Sequence, residues 1–177
     1  MKTLILAMTL IAAASAGQAS VAQAQAVSAP AAACTTPSDS NLPPAWSGWI
    51  SPETLAAAGD PAKSPDVSVS HAYDLTLLSV AQVMYPVAAD KAPMVNSFGG
   101  LLSLKVTETG TYTVALDDKA WVDVVRDGKI VKSVSHNQGP ACTTVHKAVD
   151  FTLEPGVYAI QLSNAPSASL KLLIIRK

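Results

Sequence analysis

From Val67 onward, apolar and polar residues alternate along most of the chain. In VSVSHAYDLTL this pattern puts Val67, Val69, His71, Tyr73, Leu75 and Leu77 on one side of an extended segment. Ser68, Ser70, Ala72, Asp74 and Thr76 fall on the other side. The same reading predicts strands over 82–87, 101–107, 111–116, 120–125, 129–134, 143–151, 157–162 and 170–175. Turn-forming clusters separate them: FGG, TETG, LDDK, RDGK, NQGP, EPG and NAPS. The Asp127-Gly128 pair lies between two apolar runs and signals a tight hairpin. Upstream, SPETLAAAG (51–59) reads as a short helix. Ser51 suits the N-cap, Pro52 the first helical position, Glu53 the positive helix end and Gly59 the terminus. DPAKSP then closes the segment with turn chemistry.

A weak internal echo points the same way. ETGTYTVAL (108–116) and EPGVYAIQL (154–162) share the pattern E-x-G-x-Y-x-x-x-L. Each reads as a turn feeding a strand, with Tyr112, Val114 and Leu116, or Tyr158, Ile160 and Leu162, directed to one face. About eight short strands with frequent turns predict an all-β fold, an antiparallel β-sandwich of jelly-roll type with one short N-terminal helix.

Composition alters this picture mainly at the N-terminus. The chain has 177 residues, of which 49% are hydrophobic and 14% charged, so one domain with a proper core is expected. Much of the alanine, however, sits near the start. Lys2 followed by LILAMTLIAAASAG, with small-x-small sites in AQAQA, has the form of a secretory signal peptide over 1–26. The apolar run is too short for a transmembrane helix, and no transmembrane segment is expected in the mature protein. Residues 27–50 read as an arm rich in Pro, Ala and Ser, and 51–177 as a single sandwich domain. Export places the protein in the periplasm or outside the cell. There the only two cysteines, Cys34 and Cys142, are expected to pair and tether the arm.

A net charge of −1 and a pI near 6.3 leave no electrostatic footprint for nucleic acid. No G-x-S-x-G elbow, P-loop, H-E-x-x-H or dinucleotide fingerprint is present. Three weaker constellations remain. HNQGPACTTVHK gathers His136, Cys142 and His146, but if Cys142 to His146 is a strand, the two side chains start roughly 13 Å apart. That separation does not suit one zinc ion. His71, His136 and His146 are therefore metal candidates only if distant segments bring them together, and their ordinary reading is as hydrogen-bonding histidines. Asp123 shares a face with Trp121 and Val125, and a buried carboxylate there needs hydrogen bonds or a cation. Asp123, His136 and Lys147 form the candidate acid–base group, with a structural ion pair as the plainer alternative. Trp46, Trp49 and Trp121 are candidates for a sugar or peptide contact, while the packing alternative pins the arm onto the sandwich.

The stretch from FGGLLSLKVTETGTYTVALDDKAWVDVVRDGK through GPACTTVHKAVDFTLEPGVYAIQLSNAP resembles a family of small exported proteins of proteobacteria, especially sphingomonads. The resemblance covers most of 67–177 and rests on G-x-Y, AWVDVVRDGK, GPAC and PGVY. Members often carry the name homogentisate 1,2-dioxygenase, which implies a ring-opening enzyme with non-haem iron held by two histidines and a carboxylate. Enzymes of that name are much longer cupin-containing chains, and no residue here aligns with their ligand motif, so the resemblance assigns no catalytic residue. The fold also resembles carbohydrate-binding and pre-peptidase C-terminal modules. The leading expectation is a binding or accessory module of the cell envelope for a glycan, peptide or protein partner, without a cofactor. An iron-dependent dioxygenase is the alternative, and a purely structural envelope protein is a third reading.

Overall fold

The computed structural model describes Cys34 and residues 36–177. The signal segment expected over 1–26 and the arm as far as residue 33 lie outside the described residues. In chain order the strands are β1 (Glu53–Ala56), β2 (Asp66–Val67), β3 (Ala72–Thr76), β4 (Leu78–Ser79), β5 (Phe98–Val106) and β6 (Gly110–Leu116). They continue with β7 (Trp121–Arg126), β8 (Lys129–Val131), β9 (Ser135–Asn137), β10 (Lys147–Leu153), β11 (Gly156–Ala165) and β12 (Ser169–Arg176).

These strands form two sheets. One has the order β1-β3-β12-β6-β10-β9; the other is β2-β5-β11-β7-β8, with β4 also paired to β5. Four antiparallel pairs explain the topology: β3 with β12, β5 with β11, β6 with β10 and β7 with β8. Together they describe one long hairpin whose successive rungs alternate between the sheets. Additional pairing of β12 with β6 and of β11 with β7 winds that ribbon into a jelly roll. The hairpin turns at Asp127 and Gly128, with φ of 50° and 71°, the positive values that this dipeptide tolerates. Both sheets are mixed, not purely antiparallel, because β1 runs parallel to β3 and β2 parallel to β5.

The period-two pattern produces the core directly. Leu170, Leu172 and Ile174 of β12 face Leu102 and Leu104 of β5 and Ile160 and Leu162 of β11 across the sandwich, all essentially without exposure. The internal echo also has a physical basis. Tyr112 Oη donates to the carbonyl of Glu108 at 2.8 Å, and Tyr158 Oη donates to that of Glu154 at 2.9 Å. Each tyrosine therefore buries its ring at a strand entrance while closing the preceding turn.

Several local expectations are corrected. Residues 51–59 do not form a helix: Glu53–Ala56 pairs with Tyr73–Thr76 as an edge strand, so sheet pairing overrides the helix propensity of ETLAAAG. The helical segment lies one step earlier, a 3₁₀ helix over Pro44–Ile50. The run 67–77 is broken where Ser70 takes a φ of 68°, and the chain crosses from one sheet to the other. Residues 83–87 and 143–146 are not strands, and Cys142, at a φ of 63°, sits in a turn before β10.

Cys34 and Cys142 form a disulfide with their Cα atoms 5.4 Å apart. A bridge across 108 positions restricts the unfolded chain by about 5 kcal/mol in the entropy model. Such a bridge points to a non-reducing compartment, such as the periplasm or the cell exterior. No helix among the described residues is long and apolar enough to cross a membrane. The described arm residues belong to the same compact unit as the sandwich. Ser38 N–H donates to the Cys142 carbonyl at 2.7 Å, and Asp39 accepts from both Thr144 N–H at 2.8 Å and Thr144 Oγ1 at 2.7 Å. These contacts seat Trp49 on the outer face of the first sheet, against Ala72, Ala115, Val145, Leu173 and Ile175. Gly48 beside it has no room for a side chain, since a Cβ would meet the Ser70 carbonyl.

Candidate functional site

The outer face of the second sheet is covered differently. Residues 83–97 form a long strap without strand structure, and its backbone groups need partners once they lie against a sheet. Outward-facing polar side chains of β7 and β11 supply several of them. Gln161 accepts from Val87 N–H at 3.1 Å and donates to the Val87 carbonyl at 3.2 Å. Asp123 Oδ2 accepts from Asp90 N–H at 3.1 Å. Asn164 Oδ1 accepts from Met94 N–H at 2.6 Å, and its amide donates to the Ala92 carbonyl at 3.3 Å. In addition, Tyr85 Oη donates to the Leu162 carbonyl at 2.9 Å. Asn164 reaches the strap from an irregularity in β11, where its φ is 58° and the register against β5 shifts between Leu162 and Ala165. A bulge of this kind re-aims a side chain that a regular strand would hold elsewhere.

Trp121 stands at the start of β7, beside that irregularity, and its indole N–H donates to Asp123 Oδ1 at 2.8 Å. One carboxylate thus fixes both the indole and, through Asp90 N–H, the strap residue next to Lys91. On one side of Trp121 lies a cleft of about 580 Å³. Lys91, Met94 and Asn164 line it, together with Lys119 and Ala120, with His136, Asn137 and Gln138, and with His146 and Lys147. On the other side a cleft of about 360 Å³ is lined by Asp90, Asp123, Lys132, Ser133 and apolar residues including Phe151. The indole is a wall common to both.

The electrostatics differ across that wall. Lys147 Nζ donates to the Ala120 carbonyl at 2.7 Å and lies 5.2 Å from the Trp121 ring centroid. Lys91 Nζ lies 5.7 Å from the same centroid. Burial, and then the charge of Lys91, push the Lys147 amine below its ordinary value, with Asp123 acting in the opposite sense. Burial raises the Asp123 carboxyl against the hydrogen bonds from Trp121 and Asp90 that favour its ionised form. Burial and the nearby Asp123 charge push the Tyr85 phenol up to about 12. The larger cleft is therefore cationic and partly apolar, and it has no carboxylate in its lining.

Most of the sequence candidates converge here. Trp121, His136, His146 and Lys147 all line the larger cleft, and Asp123 lies behind the indole. Asp123 spends both oxygens on N–H donors, which makes it a positioning group for Trp121 and the strap. Trp46 and Trp49 do not join Trp121: neither lines its clefts, and both pack under the arm. Trp49 is fully buried, and its indole N–H donates to Thr144 Oγ1 at 2.8 Å, so packing describes this pair and a shared aromatic contact surface does not. His71 leaves the apolar face expected for it and is exposed, because β3 begins only at Ala72. Its sheet places β12, β6 and β10 between β3 and the His136 strand, roughly 19 Å of interstrand steps.

An iron site of two histidines and a carboxylate requires convergence on one ion. Among the described residues, no group of three His, Cys, Asp or Glu side chains is so placed, and the donor geometry does not fit such a centre. Sequence reasoning missed Lys91, Met94, Lys119 and Asn164. The only signal for them was the polar run Gln161, Ser163, Asn164 in an otherwise apolar central strand. No protein-family model and no curated protein matches the chain.

Proposed function

We propose that the protein is an exported binding module of the cell envelope, acting in the periplasm or outside the cell, and that its ligand occupies the cleft beside Trp121. The observation that carries this reading is the cleft itself. About 580 Å³ of concave space combines an indole, a methionine and several convergent polar side chains, the composition of a small-ligand site. The site is also held in advance of binding, because Asp123 and Asn164 fix its indole and its strap. The disulfide supports the compartment. Glycans and short peptides are the ligand classes that such a cleft accommodates.

The test is a defined glycan and peptide array probed with the disulfide-bonded protein and with a Trp121→Ala variant. Binding that Trp121→Ala abolishes, in a variant that keeps the near-ultraviolet signal of buried Trp49, is the expected result. Silence of the wild-type protein across both arrays, or binding unaffected by Trp121→Ala, would sink the proposal.

A further inference from the structure

We propose that the Trp121 cleft recognises a carboxylated sugar, a hexuronate unit of an acidic glycan, with its carboxylate seated between the ammonium groups of Lys91 and Lys147. This inference rests on the cleft being a ligand site and adds the chemistry of the ligand.

Charge gives the first argument. Lys91, Lys119 and Lys147 line the cleft with His136 and His146, and no Asp or Glu lies among them. None of the three lysines takes part in a salt bridge among the described residues, although other cations of the domain do, such as Arg176 with Glu108 and Lys177 with Asp150. Two of these unpaired ammonium groups are held over the same indole, at 5.7 and 5.2 Å from its centroid. Like charges so placed repel: burial first, and then the charge of Lys91, lowers the basicity of the Lys147 amine, with Asp123 acting in the opposite sense. An anion between them turns the repulsion into two attractions, one to the half-buried Lys147 and one to Lys91 at the exposed rim. Lys147 is pre-aimed by its bond to the Ala120 carbonyl, and the backbone beside Lys91 is anchored through Asp90 N–H.

The remainder of the lining selects the carrier of the carboxylate. Ala120 and Trp121 supply an apolar surface with Met94 exposed at its rim, while the amides of Asn137 and Gln138 can both donate and accept. A pyranose ring has the matching surface, an apolar C–H face with hydroxyls around its rim. An acidic peptide would also want a free strand edge for its backbone. The edge strand at this cleft is β9, only three residues long.

The experiment titrates the full disulfide-bonded protein by calorimetry with trigalacturonate, its methyl ester, maltotriose and hexaglutamate, at low and at physiological salt. Trigalacturonate is expected to bind and to weaken as salt rises. The ester and maltotriose should bind about tenfold or more weakly, as the loss of charge-assisted hydrogen bonds implies. Lys91→Gln and Lys147→Gln should each lower trigalacturonate affinity by a similar factor, while Lys105→Gln, a lysine outside the cleft lining, should leave it unchanged. Equal binding of acid and ester overturns the carboxylate and leaves the cleft standing. Hexaglutamate binding more tightly than trigalacturonate, with the same lysine dependence, overturns the sugar. No binding of trigalacturonate overturns the inference, and Trp121→Ala on the arrays then decides separately whether the cleft binds anything.

Discussion

The two sheets of this sandwich both have their outer faces covered, and the coverings are built from opposite materials. Over the first sheet the arm contributes an apolar plug. Trp49 lies among Ala72, Ala115, Leu173 and Ile175, closed from outside by Trp46 and Leu42 and tied down by the Cys34–Cys142 bridge. Over the second sheet the strap 83–97 is held by hydrogen bonds to Asp123, Gln161 and Asn164 and by Tyr85. Burial of apolar area is strong and indifferent to direction, so the arm behaves as an extension of the core. Hydrogen bonds exchanged with water contribute less net stability but fix positions closely. The polar covering is therefore the one that can hold a site: it leaves Lys91 and Met94 at the rim of a cleft, whereas the apolar one fills its space.

The largest test of this contrast removes the plug. Trp49→Ala deletes a fully buried indole and its bond to Thr144, and is expected to lower stability by about 3–5 kcal/mol with the disulfide intact. Denaturant unfolding measures it. A loss below about 1 kcal/mol would mean that the bridge alone holds the arm and that the second cluster is not a working core. On the other sheet, Asp123→Ala strands the indole N–H of Trp121 and the N–H of Asp90, for about 1–3 kcal/mol. Its effect should be local: hydrogen exchange at Asp90 and Met94 speeds up, while the Trp49 indole stays protected. Equal acceleration at both places would erase the distinction between the coverings.

The same contrast explains what the sequence could and could not reveal. The stretch 102–106 is written in period two because one face must be apolar, 170–175 is apolar on both faces because Leu173 and Ile175 lie under the arm, and Asp127-Gly128 marks its own turn through positive φ. The disulfide follows from compartment and count. The plug was legible as one of two alternatives, because tryptophan beside an extended arm has an obvious use in packing. The polar covering was not. Gln161 meets Val87 and Asn164 meets Met94 across 74 and 70 positions, and no local pattern encodes such a meeting. Similarly, Glu53–Ala56 has helix-forming letters but lies where β3 offers a free edge. The site was half visible: Trp121, His136, His146 and Lys147 could be named from one chain, whereas Lys91 enters the cleft only because the strap is folded over it.

Acid titration separates the two faces by sign. Burial opposes ionisation of Asp150, but bonds from Lys177 at 2.6 Å, Thr113 at 2.6 Å and Ser135 at 2.7 Å outweigh it and hold its carboxyl below the ordinary value of 3.8. Its contribution to stability is therefore present above that value and is lost as pH falls through the depressed folded one. Asp123 is raised, so the protonation-dependent part of its contribution is present below 3.8 and is lost as pH rises through the folded value, while its bonds from Trp121 and Asp90 remain. Asp150→Asn should then destabilise the protein at neutral pH, and the difference from wild type should shrink on acidification below about pH 4. A gap that is constant with pH would show that the Asp150 charge is not what the variant removes.

The smallest expected effect probes how complete the polar covering is. Ser163 stands opposite Trp121 in the β11–β7 register, 1% exposed, and its hydroxyl is the one buried side-chain polar atom without a hydrogen-bond partner among the described residues. A buried hydroxyl left unpaired opposes folding, because it gives up its bonds to water and gains none in return. Ser163→Ala removes the hydroxyl and leaves backbone pairing and volume nearly unchanged. Stability is expected to rise by up to about 1 kcal/mol, read as a higher denaturant midpoint at constant slope. Trigalacturonate affinity should not move, since Ser163 lines neither cleft beside Trp121. A fall in stability would mean that the hydroxyl is satisfied in solution by a buried water between β11 and the strap. The strap would then be held by one more polar bridge than its direct contacts show, and the contrast with the dry plug over the other sheet would be sharper still.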